Sequence, residues 1–273
     1  MPEGDTIHRA AGRLRPALEG AELVRFEAPR LAGGRPRVGE RIDSVRAEGK
    51  HLLVEFSGGL TLDTHMRMTG SWQLYRTGER WRKGAHLMRA LIEVPDWVAV
   101  CFTAPVVRTF PTARLGTVAS PVAHLGPDLC VPGVDVEACL DRMEQLALDD
   151  VPLADVLLDQ RVANGVGNVY KSEVCWARRI DPATPLRLVS RDRRRELIET
   201  SARLLQANLG SGPRTTVAGG LAVYGRRGRP CRRCGTPIRV TRQGDQARVT
   251  YWCPNCQPPP DPTEVVRWLT SGR

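Results

Sequence analysis

The feature that most constrains this 273-residue chain is a set of four cysteines near its end, Cys231-x2-Cys234-x18-Cys253-x2-Cys256. Each CxxC pair can turn two sulfurs toward one metal ion, and the residues between the pairs then form a hairpin that returns the second pair to the first. This is the pattern of a four-thiolate zinc site holding one ion. Four protein ligands close the coordination shell, so the metal is expected to be structural and not to touch a substrate. Two disulfides or four idle thiols are the competing readings, and the compartment decides between them. Met1 to Thr6 carries no basic or apolar leader, and the chain has no apolar run near ~18 residues, so a cytosolic, reducing location with no membrane attachment is expected. The other cysteines, Cys101, Cys130, Cys139 and Cys175, are scattered and read as small buried hydrophobes.

Upstream of the cysteines the hydrophobic period changes along the chain. Ile7, Ala10, Ala11, Leu14 and Leu18 recur at helical spacing between Asp5 and Gly20, which describes one amphipathic helix. From Leu23 to Phe102 the pattern turns to short runs, among them Leu52 to Phe56, Leu60 to Thr64, Leu87 to Val94 and Val98 to Phe102, separated by Gly58-Gly59, Gly78, Gly84 and Pro95-Asp96. A meander of such strands implies a sandwich. Ala119 to Val134 has the Pro and Gly content of a linker. Helical spacing follows over Val136 to Leu148, Leu153 to Gln160, Asn168 to Arg178 and Ser190 to Leu209. The expected organisation is α+β: a β-sandwich with a flanking helix over 1–120, a linker over 121–133, a helical unit over 134–222, and a zinc β-hairpin with a tail over 223–273. At 41% hydrophobic residues the chain can bury a core in more than one domain.

A formal net charge of +10, mostly from arginine, points to a polyanion as partner. The arginines gather around the cysteines: Arg226, Arg227, Arg229, Arg232, Arg233, Arg239, Arg242 and Arg248 would stud the hairpin with guanidinium groups suited to phosphate. Asn164-Gly165-Val166-Gly167-Asn168 lies between two helical patterns, so the second helix would begin with unpaired N–H groups, a common anion site. By itself that turn is a weak sign of function, because Gly-rich joints between helices often serve packing only.

Read together and in order, Pro2-Glu3-Gly4-Asp5-Thr6, Gly49-Lys50-His51, His65-Met66-Arg67-Met68-Thr69-Gly70, Asn164 to Tyr170 and Arg248 to Gln257 resemble the formamidopyrimidine-DNA glycosylase and endonuclease VIII family. The resemblance covers essentially the whole chain. It implies a β-sandwich, a helical domain with a helix-two-turn-helix element, and a zinc finger, acting on damaged DNA as a bifunctional glycosylase and abasic-site lyase of base excision repair. Pro2 would be the nucleophile, Glu3 the proton donor, Lys50 a catalytic-site lysine, Asn168 and Arg248 phosphate contacts, and Met68 a wedge filling the space left by a flipped nucleotide. No nucleotide cofactor is implied, and a monomer on the nucleoid is expected.

The chemistry suits these residue types. A secondary amine attacking C1′ of the sugar displaces the base and leaves an iminium ion, whose charge drives strand elimination. The dipole of the helix that follows disfavours the ammonium form of that amine, and Glu3 can shuttle a proton to the opening ring. While Met1 is attached the Pro2 nitrogen is a tertiary amide, so removal of Met1 is a condition of activity. Gly4-Asp5-Thr6 resembles the endonuclease VIII branch, and Ser211 to Val223 looks too short for the loop that covers an oxidised purine in the other branch, which favours oxidised pyrimidines. Phe102 to Val107 departs from the purine-repair pattern, leaving the partners of Met68 unnamed. The alternatives are an oxidised-purine enzyme of the same family and a non-catalytic zinc protein that binds lesions.

Overall fold

The computed structural model describes residues 2–146, 148–243 and 247–260. The chain divides into two compact units, Met1–His124 and Leu125–Arg273.

The first unit opens with α1 (Gly4–Leu18) and continues through eight strands: β1 (Arg25–Glu27), β2 (Ile42–Glu48), β3 (His51–Phe56), β4 (Leu60–His65), β5 (Ser71–Arg76), β6 (Met88–Glu93), β7 (Trp97–Phe102) and β8 (Val106–Pro111). They form two antiparallel four-stranded sheets, ordered β1-β6-β7-β5 and β2-β3-β4-β8. The inner faces pair period-2 residues such as Leu52, Val54 and Leu62 with Ala90, Ile92 and Cys101, and the stripe of α1 predicted from its spacing, Ile7, Ala10, Ala11, Leu14 and Leu18, joins the same core. The unit is thus a sandwich with a helix sharing its core. The first sheet is apolar on its other face too, where Tyr75, Leu91, Val98, Val100 and Phe102 are covered by Trp81 and Leu87.

The second unit contains α2 (Val136–Gln145), α3 (Leu153–Val156), α4 (Asn168–Ala177), α5 (Arg191–Gln206) and an antiparallel hairpin of β9 (Arg239–Gln243) and β10 (Arg248–Trp252). Caps account for two of the helix starts: the Asp135 carboxylate accepts the Ala138 N–H at 2.9 Å, and the Ser190 hydroxyl accepts that of Arg193 at 3.4 Å. Asn168 to Trp176 is buried all round, so α4 is the central element, packed on α3, α5 and β10.

Two expectations are corrected here. The helix expected over Leu153 to Gln160 ends at Val156. The Gln160 side-chain amide donates to the carbonyls of Leu158 and Val166, at 2.8 and 3.1 Å, and its own carbonyl accepts the Gly126 N–H, so non-helical partners satisfy the backbone there. The segment read as a linker is also not a free connector throughout, because Leu129 and Cys130 are buried in the core of the second unit. The tail expected after the hairpin, beyond Pro260, lies outside the described residues.

Candidate functional site

Pro2 and Glu3 form the extended lead into α1. Glu3 occupies the N-cap position with φ −128°, and its carbonyl accepts the N–H groups of Thr6 and Ile7 at 2.9 and 3.2 Å. Its carboxylate is not used as a cap, yet the residue is only 1% exposed, while Pro2 ahead of it is half-buried. Asp5, also buried, takes the Thr6 N–H at 2.7 Å, which sets a second carboxylate in the first turn where the helix dipole favours negative charge. Met1, whose removal the sequence reading requires, lies outside the described residues.

Lys50 stands in the two-residue turn between β2 and β3, whose flanking residues Glu48 and His51 pair directly. Gly49 at the first turn position has φ +58°, the conformation such tight hairpins demand of that place. The next residue, His51, leads to a network that sequence reading missed. Its Nδ1 lies 2.8 Å from Asp63 Oδ1, and Arg108 donates from Nε to Asp63 Oδ2 at 2.8 Å. Asp63 is 0% exposed. Burial alone would push its pKa up, but the hydrogen bond and charge of His51 and the charge of Arg108 outweigh it and hold the carboxyl below its ordinary range.

His51 is directly opposite His65 in the β3–β4 ladder, with ring centroids 4.6 Å apart. Burial pushes the His65 imidazolium down to about 4, helped by the positive fields of His51, Lys50 and Arg67 and opposed by Asp63. The ladder therefore brings Lys50 and the turn that follows β4 to the same end of one sheet. In that turn Met66 is buried and Met68 is 67% exposed. The Gly70 N–H closes on the Met66 carbonyl at 2.8 Å, and the Thr103 hydroxyl donates to the Thr69 carbonyl at 2.7 Å, so the exposed Arg67-Met68-Thr69 tip is tied to the β7–β8 connection.

The remaining residues lie in the second unit. Asn168 is the first residue of α4, and its side-chain amide donates to the Val249 carbonyl at 2.8 Å. Val249 follows Arg248 at the start of β10, so Asn168 is hydrogen-bonded to the backbone of the residue next to Arg248. The Asn168 carboxamide oxygen has no hydrogen-bond partner among the described residues.

The four cysteines meet at one point, with all four Sγ atoms within 4.8 Å of one another. Cys234 Sγ is 3.4 Å from those of Cys253 and Cys256, and Cys231 Sγ is 4.0 Å from that of Cys256. These separations are far beyond a disulfide bond of ~2.05 Å and close to the ~3.8 Å expected between thiolates around a tetrahedral zinc. Hydrogen bonds from Thr236 and Asn255 hold Cys234 down to about 5, whereas burial and the neighbouring sulfurs push Cys256 up to about 12. Crowded sulfurs that resist joint ionisation are what a divalent cation relieves. The donors fit zinc. Trp176 of α4 donates its indole N–H to Cys231 Sγ at 3.3 Å and packs with Ile238, Cys231 and Cys253, so the hairpin is rooted on the central helix.

Fold and site together define a class: a β-sandwich followed by a helix-two-turn-helix unit that closes with a four-cysteine zinc hairpin. Residues 1–110 match the formamidopyrimidine-DNA glycosylase N-terminal domain, 125–218 the H2TH domain of the same enzymes, and 228–259 the zinc finger found in FPG and IleRS. The chain is 43% identical over 272 residues to "Probable endonuclease 8 2" of Streptomyces coelicolor, covering 96% of each chain. It is 38% identical to the "DNA-(apurinic or apyrimidinic site) lyase Nei2" of Mycolicibacterium smegmatis, covering 94% of this chain and 99% of that one. This chain belongs to the formamidopyrimidine-DNA glycosylase family, and its resident metal is one structural zinc. The fold is also that of Lactococcus lactis formamidopyrimidine-DNA glycosylase, with a TM-score of 0.80 at 22% identity over 94% of this chain and all of the other.

Proposed function

We propose that this chain is a bifunctional DNA glycosylase and abasic-site lyase of base excision repair, acting as a monomer on damaged DNA in the cytoplasm and favouring oxidised pyrimidines. The observation that carries the reading is the placement of Pro2 immediately ahead of α1, with the buried carboxylate of Glu3 beside it. The relatives named endonuclease 8 and abasic-site lyase, which align over nearly the whole chain, support it.

In this reading the Pro2 nitrogen, a secondary amine once Met1 is gone, forms a bond to C1′ as the bond from C1′ to the base breaks and the base leaves with the electron pair. Glu3 supplies the proton taken up by the ring oxygen as the sugar opens, leaving a C1′ iminium. Loss of a C2′ proton then expels the 3′ phosphate, and water releases Pro2. Lys50 carries a compact charge on a turn held by the β2–β3 hairpin, suited to a phosphate or the leaving base. Asn168 and Arg248, joined through Val249, hold the backbone. Met68, with Arg67 and Thr69 flanking it at the exposed tip, fills the vacated stack. Zinc, when bound, cross-links the hairpin and takes no part in bond making.

The test is borohydride trapping on an oligonucleotide containing an abasic site, with the mature protein. A covalent adduct is expected, and Glu3→Gln should keep it while losing release of thymine glycol. Absence of an adduct from the mature wild type refutes the lyase and leaves a lesion binder. Faster release of an oxidised guanine than of thymine glycol overturns the pyrimidine preference alone.

A further inference from the structure

Residues 215–224 join α5 to the zinc hairpin without forming helix or ladder strand, so their backbone groups must find partners elsewhere. Some close on each other in the turn from Thr216 to Gly220 and Asn208 takes those of Thr215, while two side chains of opposite charge supply six more. From α4, the buried carboxylate of Glu173 accepts the N–H groups of Ala222, Val223 and Tyr224 at 2.8, 2.9 and 2.8 Å, and the hydroxyl of Thr216. From within the first cysteine pair, Arg232 donates Nε to the Leu221 carbonyl at 3.1 Å, Nη1 to Ala218 at 3.0 Å and Nη2 to Gly219 at 2.8 Å. Gly219 and Gly220 take φ of +76° and +122°, which lets the tight turn from Val217 to Gly220 aim its carbonyls at the guanidinium. One anion collects three backbone donors and one cation three backbone acceptors.

The loop is also tied to the two elements that carry the proposed phosphate contacts. Glu173 shares α4 with Asn168, and the Tyr224 ring lies 5.0 Å from that of Tyr251, on β10 with Arg248. Arg232 itself sits between Cys231 and Cys234, in a knuckle whose shape is set by the metal and by the Arg233 N–H on Cys231 Sγ. Neighbouring Arg233 serves a different purpose, stacking at 4.0 Å on Trp176 and donating to its carbonyl.

We propose that Arg232 is a positioning residue: through its three-carbonyl fork the zinc knuckle sets the conformation of residues 215–224, and the ordered loop in turn supports the α4–β10 pair that grips DNA. The last step rests on the function proposed above; the brace itself does not. A planar fork is essential, because a lysine keeps the charge but cannot span three carbonyls.

The test is amide hydrogen exchange on zinc-loaded R232A, R232K and R233A, combined with DNA binding and saturating single-turnover cleavage of an abasic oligonucleotide. Protection of amides 216–224 should fall about tenfold in both Arg232 variants and stay unchanged in R233A. The DNA dissociation constant should rise equally in R232A and R232K, with the cleavage rate at saturation unaltered. If R232A fails to hold zinc, R232K decides. Wild-type protection in R232K, or affinity lost in R232A but kept in R232K, overturns the proposal, since charge alone would then suffice. If the wild type neither binds nor cleaves abasic DNA the functional reading fails, and the exchange result still judges the brace.

Discussion

At the scale of single residues, the environment of His65 makes a sharp pH prediction. Its folded value lies near 4 against 6.5 for a free imidazole, so between these pH values the unfolded chain binds the proton that the folded chain refuses. Stability is therefore full above about pH 6.5 and falls as pH drops toward 4, by about 1–2 kcal/mol once screening at this half-buried site is allowed for. The Asp63 carboxyl works in more acid solution: held low by His51 and Arg108, it contributes stability above its unfolded value and loses it as pH falls through the folded one. Urea unfolding between pH 4 and 7 should show His65→Gln with a flatter profile than wild type over that window. Identical slopes would remove His65 from the account. None of this was visible beforehand: Gly49-Lys50-His51 and His65 marked their positions, but a buried aspartate two residues before His65 reads in sequence as one more polar position of a strand.

At the scale of elements, α4 does several tasks at once because it is buried on every side. It presents Asn168 at its start, Glu173 in its middle and Trp176 near its end, the last two reaching the loop and the metal site. Removing the indole N–H should loosen the metal while leaving the fold: Trp176→Phe is expected to weaken zinc affinity about tenfold, read by competition with a chelator, with unchanged far-UV circular dichroism. Unaltered affinity would mean that the contact to Cys231 is incidental. The strands tell a related story. Leu52 to Phe56 and Val98 to Phe102 were legible as apolar runs, whereas β2, with Asp43, Arg46 and Glu48, and β8, ending at Pro111, look like loops until the partner strand supplies their ladder.

At the scale of the molecule, each unit has its own core, with Leu14, Val54 and Ile92 in one and Leu140, Tyr170 and Leu205 in the other. Zinc belongs to the second, since Cys231 and Cys253 pack with Trp176, Ala222 and Val223. Chelation should lower the thermal transition of residues 125–260 and leave that of 2–124 within about 1–2 °C, as calorimetry with limited proteolysis can show. A matching fall in both transitions would make the metal a global rather than a local support.

Sequence alone determined the zinc hairpin, α1, the apolar strands and the order of the units, because thiol spacing and hydrophobic period are properties of neighbouring residues. Tertiary structure decided which polar groups meet. Asp63 with Arg108, Glu173 with residues 216–224, and Asn168 with Val249 are joined across tens of residues. A charge or amide taken out of water must find a partner, and the partner is chosen by where the folded chain passes rather than by what stands beside it in sequence.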